Sequence, residues 1–256
     1  DVLNKKAVVY TENDALCSTF EIMDLDDEQL ILAEEAYAEI LDTLANVDDE
    51  LGEKFLKDEE ITVTDLKRAM RRATIANKVV PIAGGSAFKN KGVQYLVDAV
   101  VDYLPSPLEI PAAKGQEADD EDVEVIAPTD DNGKFCSLAF KLWADKYVGK
   151  LVFFRVYSGT VSKGDMVFNP RTRKKERIGR LIQIQADKHE EIQTCYAGDI
   201  AAVVGIKNVT TGDTLCNQRF DILLEPPSFP EPVIAMAVEP KTTVDQEKMS
   251  SGLGRL

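Results

Sequence analysis

The spacing of hydrophobic positions changes along the chain, and each change marks a different kind of structure. Between Asp26 and Val47 the apolar residues Leu30, Ala33, Tyr37, Ile40, Leu41 and Leu44 recur every three or four residues. That spacing predicts an amphipathic helix with Asp26 or Asp27 as N-cap and acids on its outer face. A shorter helix is expected from Asp49 to Lys57. A third opens at Thr64, with Leu66, Met70 and Ala73 inward and Lys67, Arg68, Arg71 and Arg72 outward. Upstream, residues 2–10 read as one short strand. From Lys78 an apolar run ends at Gly84 and Gly85, which predicts a buried strand, with Pro81 as its one blemish. A helix from Gly92 to about Leu104 should bury Val93, Leu96, Val97, Val100 and Val101, and Pro105 and Pro107 stop it. Strand, glycine turn and helix in succession read as the last βα unit of a parallel α/β sheet.

From Phe135 the period falls to two. Cys136, Leu138, Phe140 and Leu142 alternate with other residues, as do Val152, Phe154 and Val156. Turn signals follow at Ser158-Gly159, Lys163-Gly-Asp165, Asn169-Pro170, Ala197-Gly-Asp199 and Thr211-Gly-Asp213. Short strands at this spacing predict an antiparallel barrel or sandwich closing near Pro226 and Pro227. Residues 108–132, with six acids between Glu117 and Glu124, predict an acidic linker or mobile loop. Beyond the barrel, Val233 to Val238 reads as a strand, and Thr243 with Gln246 forms a capping-box pattern that opens a helix. The sequence begins at Asp1 without Met and reaches Leu256 inside that helical pattern, so an internal piece of a longer chain is expected.

Charge divides the chain in the same place as the period. Residues 1–131 carry 31 Asp and Glu against 12 Lys and Arg, while residues 132–256 carry 14 against 18, for a net charge of −15. Two modules facing different partners are expected, the first repelled by nucleic acid and the second able to touch it. The cysteines Cys17, Cys136, Cys195 and Cys216 form no Cys-x-x-Cys pair, which argues against zinc and fits reduced thiols in a cytosolic protein. The one histidine, His189 between Lys188 and Glu190, reads as a solvated loop residue. No apolar run approaches the roughly 20 residues of a membrane helix.

Candidate chemistry is sparse. The sequence contains no Gly-x-x-x-x-Gly-Lys-Ser/Thr loop and no Gly-x-Gly-x-x-Gly. Asp49-Glu-Leu-Gly52 and Asp130-Asp-Asn-Gly133 match Asp-x-x-Gly, a pattern short enough to arise by chance. Two features remain. Gly84-Gly-Ser-Ala-Phe-Lys-Asn90 lies at a strand end before a helix, where open α/β sheets bind ligands. The backbone amides of Ser86, Ala87 and Phe88 either meet a base edge there or belong to an ordinary turn. The basic run Arg171-Thr-Arg-Lys-Lys-Glu-Arg177, extended by Arg180, sits between strand signals, where a hairpin is expected. It either contacts phosphates or protects an exposed strand edge.

In order, these pieces resemble bacterial elongation factor G, a ribosome-bound translational GTPase. The resemblance rests on Gly85-Ser-Ala-Phe-Lys-Asn-Lys-Gly-Val-Gln94, Val100-Val-Asp-Tyr-Leu-Pro-Ser-Pro107 and Ala139-Phe-Lys-Leu-Trp-Ala-Asp-Lys-Tyr-Val-Gly149. Arg155-Val-Tyr-Ser-Gly159, Gly198-Asp199, Thr211-Gly-Asp-Thr214, Glu231-Pro-Val233 and Glu239-Pro-Lys-Thr242 add to it. It implies an α/β plus all-β chain. Residues 1–107 would be the C-terminal part of a P-loop GTPase domain, with an acidic helical insertion over 1–77 and the last βα unit over 78–107. Residues 108–132 would be the acidic linker, 133–228 an antiparallel β-barrel, and 229–256 the first strand and helix of a ferredoxin-like domain. Ser86 and Ala87 would bind guanine through backbone amides, with Phe88 beside them. GTP or GDP with Mg²⁺ would be the cofactor of the full-length parent. The resemblance further implies a cytoplasmic protein that moves transfer RNA and messenger RNA on the ribosome, its barrel meeting small-subunit RNA and its insertion meeting the ribosomal stalk protein. The phosphate loop, both switch segments, the Asp-x-x-Gly-His histidine and the Asn-Lys-x-Asp motif are absent from these residues, since Asn4-Lys-Lys-Ala7 lacks the base-binding Asp. The chain alone is therefore expected neither to bind nor to hydrolyse GTP, and its exposed sheet edges leave it open to self-association. A ribosome-protection or release-factor-type GTPase, or a non-enzymatic scaffold joining two partners, would share the same layout.

Overall fold

The computed structural model describes residues 1–11, 19–145, 149–225, 228 and 230–253, so Cys17, Pro226 and Pro227 lie outside the described residues. The chain forms two compact units, Asp1–Ile110 and Pro111–Leu256.

In the first unit, β1 (Lys6–Tyr10) pairs antiparallel with β2 (Phe20–Asp24). Three helices follow: α1 (Asp27–Val47), α2 (Asp49–Leu56) and α3 (Val63–Ile75). Each begins on a side-chain cap. Asp26 accepts from the Gln29 amide, Asp48 from Leu51, and Thr62 from Asp65, satisfying donors that the first helical turn leaves free. Thr62, not the expected Thr64, opens α3 because Asp65 returns a bond to the Thr62 amide and completes a capping box. The three helices close on Leu44, Leu51, Leu66, Ala69 and Ala73, with Met70, Tyr37 and Ile40 packed around them.

The basic face of α3, expected to look into solvent, instead fastens the unit. Arg72 forks onto the carboxylate of Asp48 at 2.7 and 2.8 Å and reaches Glu50 at 3.0 Å. Lys67 pairs with Asp102 at 2.7 Å. Arg71 donates to the carbonyls of Val101 and Asp102 and forks onto Glu109. The last of these clamps the end of α4 (Val93–Tyr103), where carbonyls lack helical partners. Arg68 alone of the four stays exposed and unpaired among the described residues.

Two expectations for this unit are corrected. No strand forms between Lys78 and Ala83: Val80 is 83% exposed and Ile82 is 95% exposed. A strand is held by its neighbours' hydrogen bonds, and no described segment pairs with this one. The same gap leaves α4 without a buried residue, its Leu96, Val97, Val100 and Val101 all exposed.

Residues 108–132, expected as a linker, instead carry strands of the second unit from Ala113 onward. β3 (Ala113–Glu117) and β4 (Asp120–Ala127) form a hairpin, and β15 (Ile222–Leu224) adds to β3. The buried residues Ala127, Ile222 and Leu224 supply the apolar contacts that the acids hide in the composition. A second antiparallel sheet contains β5 (Cys136–Asp145), β6 (Gly149–Ser158), β8 (Met166–Asn169), β9 (Lys174–Arg177), β10 (Arg180–Gln185), β11 (Lys188–Ile192), β13 (Ile200–Val204) and β14 (Thr214–Cys216). Its order is β11-β10-β13-β6-β5-β14-β8-β9, while β7 (Val161–Ser162) pairs with β12 (Thr194–Cys195) separately. Phe154, Val152, Val156, Leu181 and Leu215 meet in one core. The antiparallel expectation holds, but among the described residues the ladder does not close into a barrel. Past the ends of β8 and β9, turn bonds take over: Gly164 donates to Ile178 and Ile178 to Asp165, both at 2.8 Å.

On β5 the single Trp143 is half exposed, stacked at 24° against Phe153 with Lys141 Nζ 5.2 Å from its ring centre. His189 lies in β11, not in a loop, and is exposed. The strand expected over Val233–Val238 does not form, and its side chains are exposed. α5 (Thr243–Leu253) forms, but Thr242 with Asp245 caps it instead of Thr243 with Gln246. No described helix is long and apolar enough to cross a membrane.

Leu66 is fully buried where the three helices meet. Leu66→Ala should destabilise the first unit by about 2–5 kcal/mol, read as an earlier denaturant midpoint in far-ultraviolet circular dichroism.

Candidate functional site

The loop carrying Ser86, Ala87 and Phe88 is a closed turn. Ser86 and Lys91 exchange backbone bonds of 2.8 and 3.0 Å, while Lys89 donates to Ser86 and Asn90 to Ala87. Gly85 lies so close to Lys91 that a Cβ there would sit 2.8 Å from its carbonyl oxygen. Gly92, at φ 81°, turns the chain into α4, a conformation glycine takes without penalty. The Gly92 amide donates to the Tyr10 hydroxyl at 2.7 Å, and Tyr10, Phe20 and Tyr95 form an aromatic row that braces the turn.

This geometry separates the three candidates. The Ser86 amide is spent on Lys91 and is not available to a base. The amides of Ala87 and Phe88 make no hydrogen bond among the described residues, and the Phe88 ring stands fully in solvent. The residues present do not fit GTP with Mg²⁺. Two free amides face no phosphate loop in the sequence, and among the described residues no cluster of His, Cys, Asp or Glu is placed for a metal ion. Of the Asp-x-x-Gly matches, the first lies within α2 and the second forms a turn in which Gly133 donates to Asp130. A cleft of about 350 Å³ beside α3 has several charged lining groups that are already engaged: Asp48 and Arg72 with each other, and Lys78 with the Val47 carbonyl.

The basic run resolves into two sets of side chains. It forms the hairpin of β8 and β9, at one edge of the large sheet. Arg171 at its turn reaches inward to Asp213, which is 2% exposed. Asp213 accepts from Arg171 at 2.5 and 2.9 Å, from Asn169 at 2.8 Å, and from the Thr210 amide and hydroxyl at 2.9 and 3.1 Å. Its own carbonyl receives the Ala139 amide of β5 at 2.8 Å. Arg173 pairs with Asp119 and Asp221, and Arg180 with Glu191. Glu176 turns inward to accept from Asn208 at 2.9 Å. Lys174, Lys175 and Arg177 remain, exposed and without side-chain hydrogen bonds or ion pairs among the described residues. The sequence presented Thr211-Gly-Asp213 only as a turn. Its role as anchor depends on Asn169 and Arg171, some 40 residues earlier in the chain.

With the hairpin and its anchor located, similarity to known proteins bears directly on them. Residues 149–216 match the family model for elongation factor Tu domain 2. A crystal structure of a protein from Thermus thermophilus shares the fold, with a TM-score of 0.76 and 21% identity over 100% of this chain. This chain spans 35% of that protein's length. The matched segment contains the whole β8–β9 hairpin, Arg171 and Asp213.

Burial pushes the Asp213 carboxyl up, but the bonds from Arg171, Thr210 and Asn169 outweigh it and hold the group below the usual carboxylate range. A depressed folded-state value contributes stability that is present above the unfolded value of about 3.9 and lost as pH falls through the folded value. The second unit should therefore lose stability on acidification below about pH 4. Asp213→Asn should flatten that acid limb in a series of thermal melts between neutral pH and pH 3, and an unchanged limb would count against the anchor.

Proposed function

We propose that this chain is part of a ribosome-dependent GTPase of the elongation factor G type, acting in the movement of transfer RNA and messenger RNA during protein synthesis in the cytoplasm. The observation that carries the reading is the elongation factor Tu domain 2 match across a hairpin whose outer side chains are free cations. Lys174, Lys175 and Arg177 are the residues assigned to ribosomal RNA phosphates in the small subunit, because Arg171, Arg173 and Arg180 are consumed by carboxylates. The acidic helical surface of α1 and α2 is assigned to a protein of the ribosomal stalk, since it would repel RNA. In the full-length parent, the amides of Ala87 and Phe88 are assigned to the guanine edge, and GTP with Mg²⁺ would be held by residues outside this chain.

The RNA assignment is tested by binding to small ribosomal subunits across a salt series. Replacing Lys174, Lys175 and Arg177 together with Ala should weaken binding and lower the salt slope by roughly 0.7–0.9 for each phosphate no longer neutralised. An unchanged slope would place the RNA-binding surface elsewhere on the chain. Titration with fluorescent GDP in Mg²⁺ buffer should give flat anisotropy into the high micromolar range. Saturable binding, competed by unlabelled GDP, would refute the assignment of phosphate and metal binding to other residues.

A further inference from the structure

Two of the four cysteines stand directly opposite each other. Cys136 of β5 and Cys216 of β14 are register partners in an antiparallel pair. Both are free thiols with no solvent exposure, and they share one apolar cluster. The phase of the ladder decides how close their side chains come. Opposed residues in antiparallel strands alternate between pairs that exchange backbone hydrogen bonds and pairs that do not. The second kind brings Cα atoms to about 4.5 Å, with side chains nearest one another. Across β5 and β14, the Ala139 amide donates to Asp213 at 2.8 Å and the Asn217 amide donates to Phe135 at 2.9 Å. Phe135 and Ala139 thus occupy hydrogen-bonded positions, and by alternation so does Ser137. Cys136 and Cys216 fall between them, at a non-hydrogen-bonded pair. Disulfides span Cα separations of roughly 4.4–6.8 Å, so the spacing typical of such a pair lies within reach of a bridge.

We propose that Cys136 and Cys216 form a site of reversible oxidative modification, closing a cross-strand disulfide between β5 and β14 on reaction with a small-molecule disulfide such as oxidised glutathione. One thiolate attacks a sulfur of the oxidant and releases one glutathione. The second thiolate then displaces the other glutathione from the mixed disulfide. Two S–H bonds are lost and one S–S bond forms. Two electrons reduce the glutathione disulfide, and the two protons end on the glutathione thiols released.

The surroundings set the rate. Burial pushes the Cys216 thiol up to about 11, and burial together with the neighbouring Cys216 pushes Cys136 up as well. The reactive thiolate is therefore scarce at neutral pH, and exchange should be slow and accelerate with rising pH. Cys195 is an internal control, because burial raises it to about 12 while its register partner is Val161, not a cysteine. The bridge would also fix β14 just beyond Asp213, and so hold the anchor of the basic hairpin.

The test uses the whole chain incubated with oxidised glutathione, either folded or during refolding from denaturant in the same buffer. Remaining thiols are alkylated in denaturant and the protein is digested without reduction for mass spectrometry. The expected result is a linked Cys136–Cys216 peptide in either arm, reversed by dithiothreitol, with Cys195 alkylated and no link in a Cys216→Ala variant. The refolding arm removes access as an obstacle. Absence of the linked peptide from both arms, or pairing of Cys136 or Cys216 with Cys17 or Cys195 instead, overturns the proposal.

Discussion

A single buried carboxylate sets the geometry of the basic hairpin in the second unit. Asp213 is almost wholly withdrawn from water, and a buried charge persists only where its lone pairs are met. Arg171, Asn169 and Thr210 meet them, and they come from the β8–β9 hairpin and from the turn before β14. The Asp213 carbonyl ties the same turn to β5. The hairpin is therefore fixed at its root by an interaction that is costly to break, while its outer cations stay solvated. Binding cations on a fixed ribbon lose less freedom on meeting a partner than cations on a loose loop.

The first unit depends on a comparable device at its surface. α3 has few apolar residues to share among three neighbours, so its long cations carry the rest. Arg72 holds the cap of α2 and Arg71 holds the end of α4. The Arg71 fork, with help from the Ser106 backbone, draws the Glu109 carboxyl down to about 2. These pairs are partly solvated, so each adds modestly, and their value lies in fixing which helix ends meet.

The sequence is most readable where one local rule is enough. The spacing of Leu30, Tyr37, Leu41 and Leu44 locates α1, and Asp26 marks its start within one residue. Alternation from Phe135 onward locates the antiparallel sheet. Local rules fail where distant partners decide. The run from Lys78 to Ala83 has the composition of a buried strand, yet a strand requires neighbours, and none is present among the described residues. Residues 113–127 have the composition of a linker, but Val125 and Ala127 on one face, with Ile222 opposite, are enough to hold a hairpin. In the candidate site, the sequence identifies the basic run as a feature but does not say which cations are free. That distinction depends on Asp119, Asp213 and Asp221, none of them near the run in sequence. Nor does it show that the Ser86 amide closes its own turn.

Trp143 is the only tryptophan in the chain, and it lies half in solvent on β5 of the second unit, packed against Phe153 with the Lys141 ammonium close to both rings. Its emission is consequently a local signal, sensitive to the cation beside it and to whatever covers that face. The helices of Asp1–Ile110 belong to the other unit, and their loss dominates the circular dichroism. The two optical probes thus observe different halves of the molecule, and a difference between their melting curves would measure the independence of the two units.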